Sequence, residues 1–279
     1  MTARHGIRIL SAVAVYAAAI GVLVLFLAPL IWVAAMSFKT RLEIFAWPPT
    51  FFPAEPTLQN YANLFAPRSR FPATVANSFV AALIATAVAL GLGVAAAYAL
   101  ASHRLRHARA ASFWMLTFRM LPPVALVLPF YFVFRQAGLL GSLWAIGLTH
   151  AVFSIAIVIW MMKAYFETLP REIEEAARVD GATTWQIFTR IALPLSRAAL
   201  AATAIFSFLT SWNEFLFSVI LSRAQTQTVP VAVASFVGEV YVSWGELAAA
   251  TMLGLLPALA LVFVGQRYLL IGIAPGAVK

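Results

Sequence analysis

The sequence predicts an all-helical integral membrane protein with six transmembrane helices and a helical hairpin between the fourth and fifth. Three observations carry that prediction. Of the 279 residues, 63% are hydrophobic and 10% charged, with mean hydropathy +0.90; a globular domain carries about 25% charged residues, so lipid is the solvent for most of this chain. Six charge-poor runs each approach the ~20 residues that cross a bilayer. Five of the ten acidic residues crowd into one loop, 163–197.

The first run, 9–38, follows Arg4-His5-Gly6-Ile7-Arg8. It exceeds the roughly 7–15 apolar residues of a signal peptide and reads as an uncleaved first span. The chain therefore divides into a tail and first helix (1–38), a proline-rich outer loop (39–72) and a five-helix core (73–279). The loop holds Pro48, Pro49, Pro53, Pro56, Pro67 and Pro72. Proline resists regular structure, so an irregular cap is expected, with a short helix near 57–64. The second span is expected over 75–101, the third over 114–134, the fourth within 136–162, the fifth over 198–221 and the sixth over 247–266. The third contains Leu121-Pro122-Pro123 and Pro129. Proline breaks in a span are tolerated where other helices or a water-filled cavity satisfy the freed carbonyls, which fits either a kinked helix beside a pore or a simply packed kinked helix.

An even number of spans places both termini on one side. With the N-terminus inside, Arg4, Arg8, Arg104, Arg106, Arg109, Lys163, Arg171, Arg178, Arg190, Arg197, Arg267 and Lys279 are inner. Lys39, Arg41, Arg68, Arg70, Arg135 and Arg223 are outer. The excess of inner cations predicts cytoplasmic termini. The formal charge of +9 is explained by these loops and calls for lipid, not nucleic acid, as partner. The chain has no cysteine, which excludes disulfides, thiolate metal sites and a cysteine nucleophile.

Loop 163–197 has a helical design. Pro170 suits a first turn, and Glu172, Glu174 and Glu175 lie where the helix dipole favours negative charge. Ile173, Ala176 and Ala177 have the spacing of one helix face. Gly181 after Asp180 can take the left-handed conformation that closes a helix. Thr183 and Gln186 form a capping-box pattern for a second helix, whose apolar face is Ile187, Phe188 and Ile191 and whose exit is Pro194. Small alanines allow close approach of a partner. An amphipathic helix lying on the membrane surface fits these residues as well.

Glu175-Ala176-Ala177-x3-Gly181-x9-Ile191-x-Leu193-Pro194 resembles, at every spacing, the EAA loop of the permease subunits of bacterial ABC importers. Further pieces resemble the carbohydrate, MalG-like, binding-protein-dependent branch of that family: Asn77-Ser78, Asp180-Gly181-Ala182, Ser211-Trp212-Asn213-Glu214-Phe215, Thr228-Val229-Pro230-Val231-Ala232 and Gly276-Ala277-Val278-Lys279. The resemblance implies the type I importer permease architecture in the bacterial inner membrane, with 39–72 periplasmic and 163–197 a cytoplasmic coupling loop. It implies a non-enzymatic subunit that binds no cofactor, ATP and Mg²⁺ residing on a partner. Its partners would be a second, MalF-like permease, two ATPase subunits and a periplasmic or lipid-anchored solute-binding protein. The sequence contains no G-x-x-x-x-G-K-[ST] phosphate loop. The implied ATPase-coupling residues are Glu174, Glu175, Ala176, Ala177, Asp180, Gly181, Ala182, Ile191, Leu193 and Pro194.

Glu214 is the one acid inside an expected span, and burying an ionisable group in lipid marks a functional candidate. Trp212, Asn213 and Glu214 are candidates for the substrate path, by stacking on and hydrogen-bonding to a sugar; pairing with neighbouring helices is the plainer alternative. His150 reads as a packed, hydrogen-bonded histidine. Arg119 can snorkel to the inner face. Glu239, Tyr241 and Trp244 resemble the segment that meets the binding protein, and Tyr and Trp equally suit an interfacial belt. The expected cargo is a sugar. The rivals are an importer of a polyamine, amino acid or phosphate and an ion-coupled secondary transporter, which would carry intramembrane charges in several spans and an inverted repeat.

Overall fold

The computed structural model describes residues 2–102, 108–238 and 241–273, all its named elements there being helical. The chain forms two compact units, 1–69 with 233–253 and 70–232 with 254–279.

In the first unit, α1 (Thr2–Ser37) contains an apolar span, Val13–Ser37, in which only Ala35 and Ser37 are buried. Exposed Val, Leu and Phe along it present the surface that lipid covers at no hydrophobic cost. The proline-rich loop is more ordered than its composition suggests. It holds α2 (Arg41–Ile44) and, where a short helix was expected, α3 (Gln59–Leu64). Polar side chains fasten it to the end of α1. Asn60, itself buried, donates to the carbonyls of Ser37 and Lys39, each at 2.9 Å. The Tyr61 hydroxyl lies 2.8 Å from Ser37 Oγ. The buried Lys39 ammonium donates to the Thr50 carbonyl and sits 5.2 Å above the Trp32 ring. A buried charge with a hydrogen bond and a ring face avoids most of its desolvation cost.

The second unit is built on α4 (Phe71–Ala101) and α7 (Leu143–Phe166). Small residues line their contact: Ala81, Ala82, Ala85, Ala89, Gly93 and Ala97 of α4 are buried. An added Cβ at Gly147 would stand 2.7 Å from Ile84, and one at Gly93 2.7 Å from Val158. Within lipid, such close backbone approach is the means by which helices associate. Asn77 and Ser78 fix the start of α4. The Asn77 amide donates to the carbonyls of Gln225 and Gln227, and Ser78 Oγ accepts from the Val229 N–H at 2.7 Å.

Three expected spans are corrected. The third is not continuous: α5 (Ala108–Arg119) and α6 (Pro123–Gln136) are separate. Pro122 is extended at φ −58°, ψ 122°, as a residue before proline must be. The fourth begins at Leu143, within the expected 136–162, where Gly138 and Gly141 take positive φ and Ser142 caps the helix by accepting from the Ala145 N–H, but it runs past 162 to Phe166. The fifth is α11 (Arg197–Trp212) followed by α12 (Leu216–Leu221), with a break at 213–215. After α13 (Val229–Ser235), the last helix, α14 (Trp244–Ile273), is longer than the expected 247–266.

Candidate functional site

The charged loop folds as a hairpin of the expected kind, and its turn is closed by hydrogen bonds at every step. α8 (Arg171–Val179) starts after Pro170, which is the N-cap and not the first helical residue. Gly181 has φ +84°. Its N–H donates to the Arg178 carbonyl at 3.0 Å, and the Ala182 N–H donates to the Ala177 carbonyl at 2.9 Å. These two bonds make a complete Schellman closure. The capping box follows directly: Gln186 N–H donates to Thr183 Oγ1 at 3.3 Å, and Thr183 N–H to Gln186 Oε1 at 2.8 Å.

The second arm runs through α9 (Thr184–Ile187), a π-turn (Phe188–Ala192) and α10 (Leu193–Leu195). Pro194 is inside α10, and the exit lies one step later, at the buried Ser196, where the chain bends by 79° into α11. Ile187 and Phe188 are buried against Val158, Ile159, Met162 and Phe166 of α7, with Leu193 packed beside them.

The two alanines of the motif diverge. Ala177 turns inward and packs with Ala182 against the core, so a small residue is needed there for the hairpin itself. Ala176 and Glu175 face out. Val179 is 88% exposed and Trp185 67%, two apolar side chains beside the motif that spacing alone did not single out. Glu174 pairs with Arg178 at 3.2 Å along α8, which leaves Glu175 and Asp180 as the outward acids at the turn. The outward face of α8 is thus Glu172, Glu175, Ala176 and Val179, one stripe at helical spacing.

Trp212, Asn213 and Glu214 are placed at the break in the fifth span. Trp212 is 3% exposed; its indole N–H donates to the Gly254 carbonyl at 3.1 Å, and its ring stacks on Phe208. Asn213 is exposed and returns its amide to the Leu209 carbonyl. Glu214 turns inward. Its Oε1 accepts from the Phe217 N–H at 2.9 Å and its Oε2 from the Ser218 N–H at 3.1 Å, so it caps α12. Oε2 also stands 2.8 Å from Nε2 of His150, a buried residue of α7. A carboxylate only accepts, so Nε2 bears the proton. Nδ1 lies 2.7 Å from Ser211 Oγ. His150 is a packed, hydrogen-bonded histidine, as expected, but its partners were not anticipated. The available signal was that His150 and Glu214 are ionisable groups in neighbouring spans, and such groups pair.

In the first unit, Tyr241 and Trp244 line a recess of about 480 Å³ with Arg41, Asn60, Asn63 and Glu246. Asn63 donates to Glu246 at 2.9 Å, and the Arg41 guanidinium lies 5.3 Å from the centre of the Tyr241 ring. Gly245 lets this segment approach: a Cβ there would come 2.4 Å from Asn60. Glu239 and the Arg119 side chain lie outside the described residues. No group of His, Asp or Glu able to hold a metal occurs among the described residues.

Residues 87–270 match the family described as binding-protein-dependent transport system inner membrane component. The chain is 32% identical over 254 residues to the sulfoquinovosyl glycerol transport system permease protein SmoH of Agrobacterium fabrum, covering 90% of this chain and 88% of that one. It is 31% identical over 275 residues to the inner membrane ABC transporter permease protein YcjP of Escherichia coli, covering 98% of both. Among solved structures, a bacterial ABC transporter involved in the import of the acidic polysaccharide alginate superposes with TM-score 0.75 at 25% identity, over 94% of this chain and 96% of that one.

Proposed function

The chain belongs to the binding-protein-dependent transport system inner membrane component family, and from that premise we propose that it is the membrane permease of an ATP-driven importer whose cargo is a saccharide. The observation that carries the mechanism is the hairpin 171–195, which leaves a stripe of Glu175, Ala176 and Val179 uncovered beside a rigid Gly181 turn. Such a stripe suits a cleft on a cytoplasmic ATPase: alanine admits close approach, Val179 supplies apolar area, and Glu175 and Asp180 orient the partner by charge. Two ATPase subunits hydrolyse ATP, with their Mg²⁺, and this chain binds neither. A second permease, MalF-like, completes the pore, and a periplasmic or lipid-anchored binding protein delivers the solute to the outer loops, where Tyr241, Trp244 and Glu239 lie. The excess of Lys and Arg in the segments assigned inward supports cytoplasmic termini.

The saccharide reading is supported by relatives named for sulfoquinovosyl glycerol and alginate transport. The test is to co-express the chain with its partner subunits, purify the complex and measure solute-stimulated ATP hydrolysis and vesicle uptake. The panel holds sulfoquinovosyl glycerol, alginate oligosaccharides, maltose and trehalose, with amino acids, polyamines and phosphate as the competing classes. Stimulation by a saccharide is expected; stimulation by an amino acid, polyamine or phosphate and by no saccharide overturns the cargo class.

A further inference from the structure

The hairpin is held between α7 and α11, and these two helices are joined at both ends. Near the hairpin the joint is apolar: Val158, Ile159, Met162 and Phe166 of α7 share one buried cluster with Ile187, Phe188 and Ala192 of the hairpin's second arm and Ala199 of α11. The other joint is polar and far away. His150 lies about 24 Å up α7 from Phe166, and Ser211 about 21 Å along α11 from Arg197, at about 1.5 Å per residue. There His150 takes Ser211 on one ring nitrogen and Glu214 on the other, at 2.7 and 2.8 Å. The His150 side chain is 1% exposed. Glu214 spends its remaining acceptor capacity on the Phe217 and Ser218 N–H groups and the Ser218 hydroxyl at 3.2 Å.

We propose that His150 and Glu214 form a positioning joint that transmits motion of the coupling hairpin to α12, the outer part of the broken fifth span. Resting on the permease reading, the proposal reassigns Glu214 from the cargo to the machinery. A helix pair pinned only at one end pivots there, whereas pinning at both ends makes α7 and α11 one lever. Beyond the second pin the chain is broken at 213–215, so α12 is not driven by α11 through continuous helix and follows only through its side chains. Glu214 closes that gap, because the same carboxylate that binds α7 through His150 caps α12 through two backbone N–H groups. Its bonds are charge-assisted and lie in a low-dielectric interior, where such bonds are strongest. Three of these donors fall on Oε2, the oxygen that faces His150, so that oxygen is committed to the joint. The element that follows the joint is the one that Phe217 and Leu221 bury against Phe134 and Ile146, so α12 carries the motion into the packing of α6 and α7.

The experiment uses the complete reconstituted complex, with binding protein, and a saccharide that the wild type takes up. ATP hydrolysis and uptake are measured in the same vesicles for His150→Ala, His150→Gln, Glu214→Ala and Glu214→Gln. In the two alanine variants the complex is expected to assemble and hydrolyse ATP, while uptake per ATP falls about tenfold, the size set by loss of one charge-assisted hydrogen bond. His150→Gln, whose amide still donates to Glu214, is expected to recover part of the ratio, with an unchanged KM for the saccharide. Three results overturn the joint. One is an unchanged uptake-to-ATP ratio in both alanine variants. A second is a raised KM at constant ratio, which would make Glu214 a cargo contact. The third is equal loss of assembly in all four variants, which would make the cluster a folding element only. Failure of the wild-type complex to take up any solute of the panel would instead overturn the permease reading.

Discussion

Gly181 shows how one residue fixes the hairpin. Nothing lies within 4 Å of where its Cβ would be, so space is not the constraint; its φ of +84° is. A left-handed residue with a side chain costs roughly 1–2 kcal/mol, and asparagine bears that conformation best. Gly181→Asn should therefore keep most uptake, whereas Gly181→Val should lower ATPase co-purification and uptake about tenfold or more while the protein still inserts. Equal behaviour of the two variants would remove the backbone argument. Glu43, in the outer loop, offers a test by pH. Its carboxylate accepts from the Ala54 N–H and the Thr50 hydroxyl, each at 2.8 Å, and the Ala54 bond first, then the Thr50 bond, hold its pKa below the ordinary 4.5. The disordered loop thus binds the proton more readily than the folded one. The bond's contribution is complete above pH 4.5 and is lost as pH falls through the lowered folded value. Hydrogen-exchange protection of the Ala54 amide should be flat from neutral pH down to the ordinary glutamate value and drop below it; in Glu43→Gln it should show no such step.

Elements were legible where their causes are local. The hairpin follows from Gly181, Thr183 and Gln186, each acting within a few residues, and its closure and capping box appear where spacing put them. The start of α7 fell within the expected 136–162 but was not pinned to a residue, because it rests on two glycines with positive φ, which in an apolar run look like span residues. The break in the fifth span escaped for a different reason: Glu214 makes it by capping α12 and reaching His150, and Ser211 meets that same histidine across 61 positions of sequence. Hydropathy counts charges and does not see which helix a carboxylate will cap. The α4–α7 contact, by contrast, is legible in principle, since its alanines and glycines are the residues that membrane helices use to approach. It yields a paired test. Gly147 has Ile84 side-chain atoms at 2.7 Å and the Ala81 carbonyl at 3.0 Å from a notional Cβ, whereas Gly91 has nothing within 4 Å. Gly147→Val should cost about 1–3 kcal/mol by overpacking and lower the thermal midpoint of the detergent-solubilised protein by several degrees. Gly91→Val should leave it near the wild type. Parity between the two would mean that α4 and α7 do not approach this closely in the membrane.

At the scale of the whole molecule, the charge distribution and the hairpin support the same proposed topology, in which the side rich in Lys and Arg is the cytoplasmic one. In the proposed topology the cations of 104–109 and 163–197 are on the cytoplasmic side with the docking stripe, and loop 39–72 is periplasmic. Four of the six cations assigned outward lie in that one loop, so the charge rule alone decides orientation weakly there; docking of an ATPase on the hairpin, as proposed, would require the hairpin to be cytoplasmic. The chain has no cysteine, so single substitutions report without background. Glu55 and Glu172 are both exposed and on opposite sides in this topology. Glu55→Cys should react with an impermeant maleimide in intact cells whose outer membrane is opened, and Glu172→Cys only after the inner membrane is permeabilised. Co-expression of the ATPase should then protect Val179→Cys, on the outward stripe of α8, more than Glu172→Cys at its edge. Labelling of Glu172→Cys from outside would invert the topology and with it the docking model, whereas correct topology without protection of Val179→Cys would keep the orientation and remove Val179 from the contact.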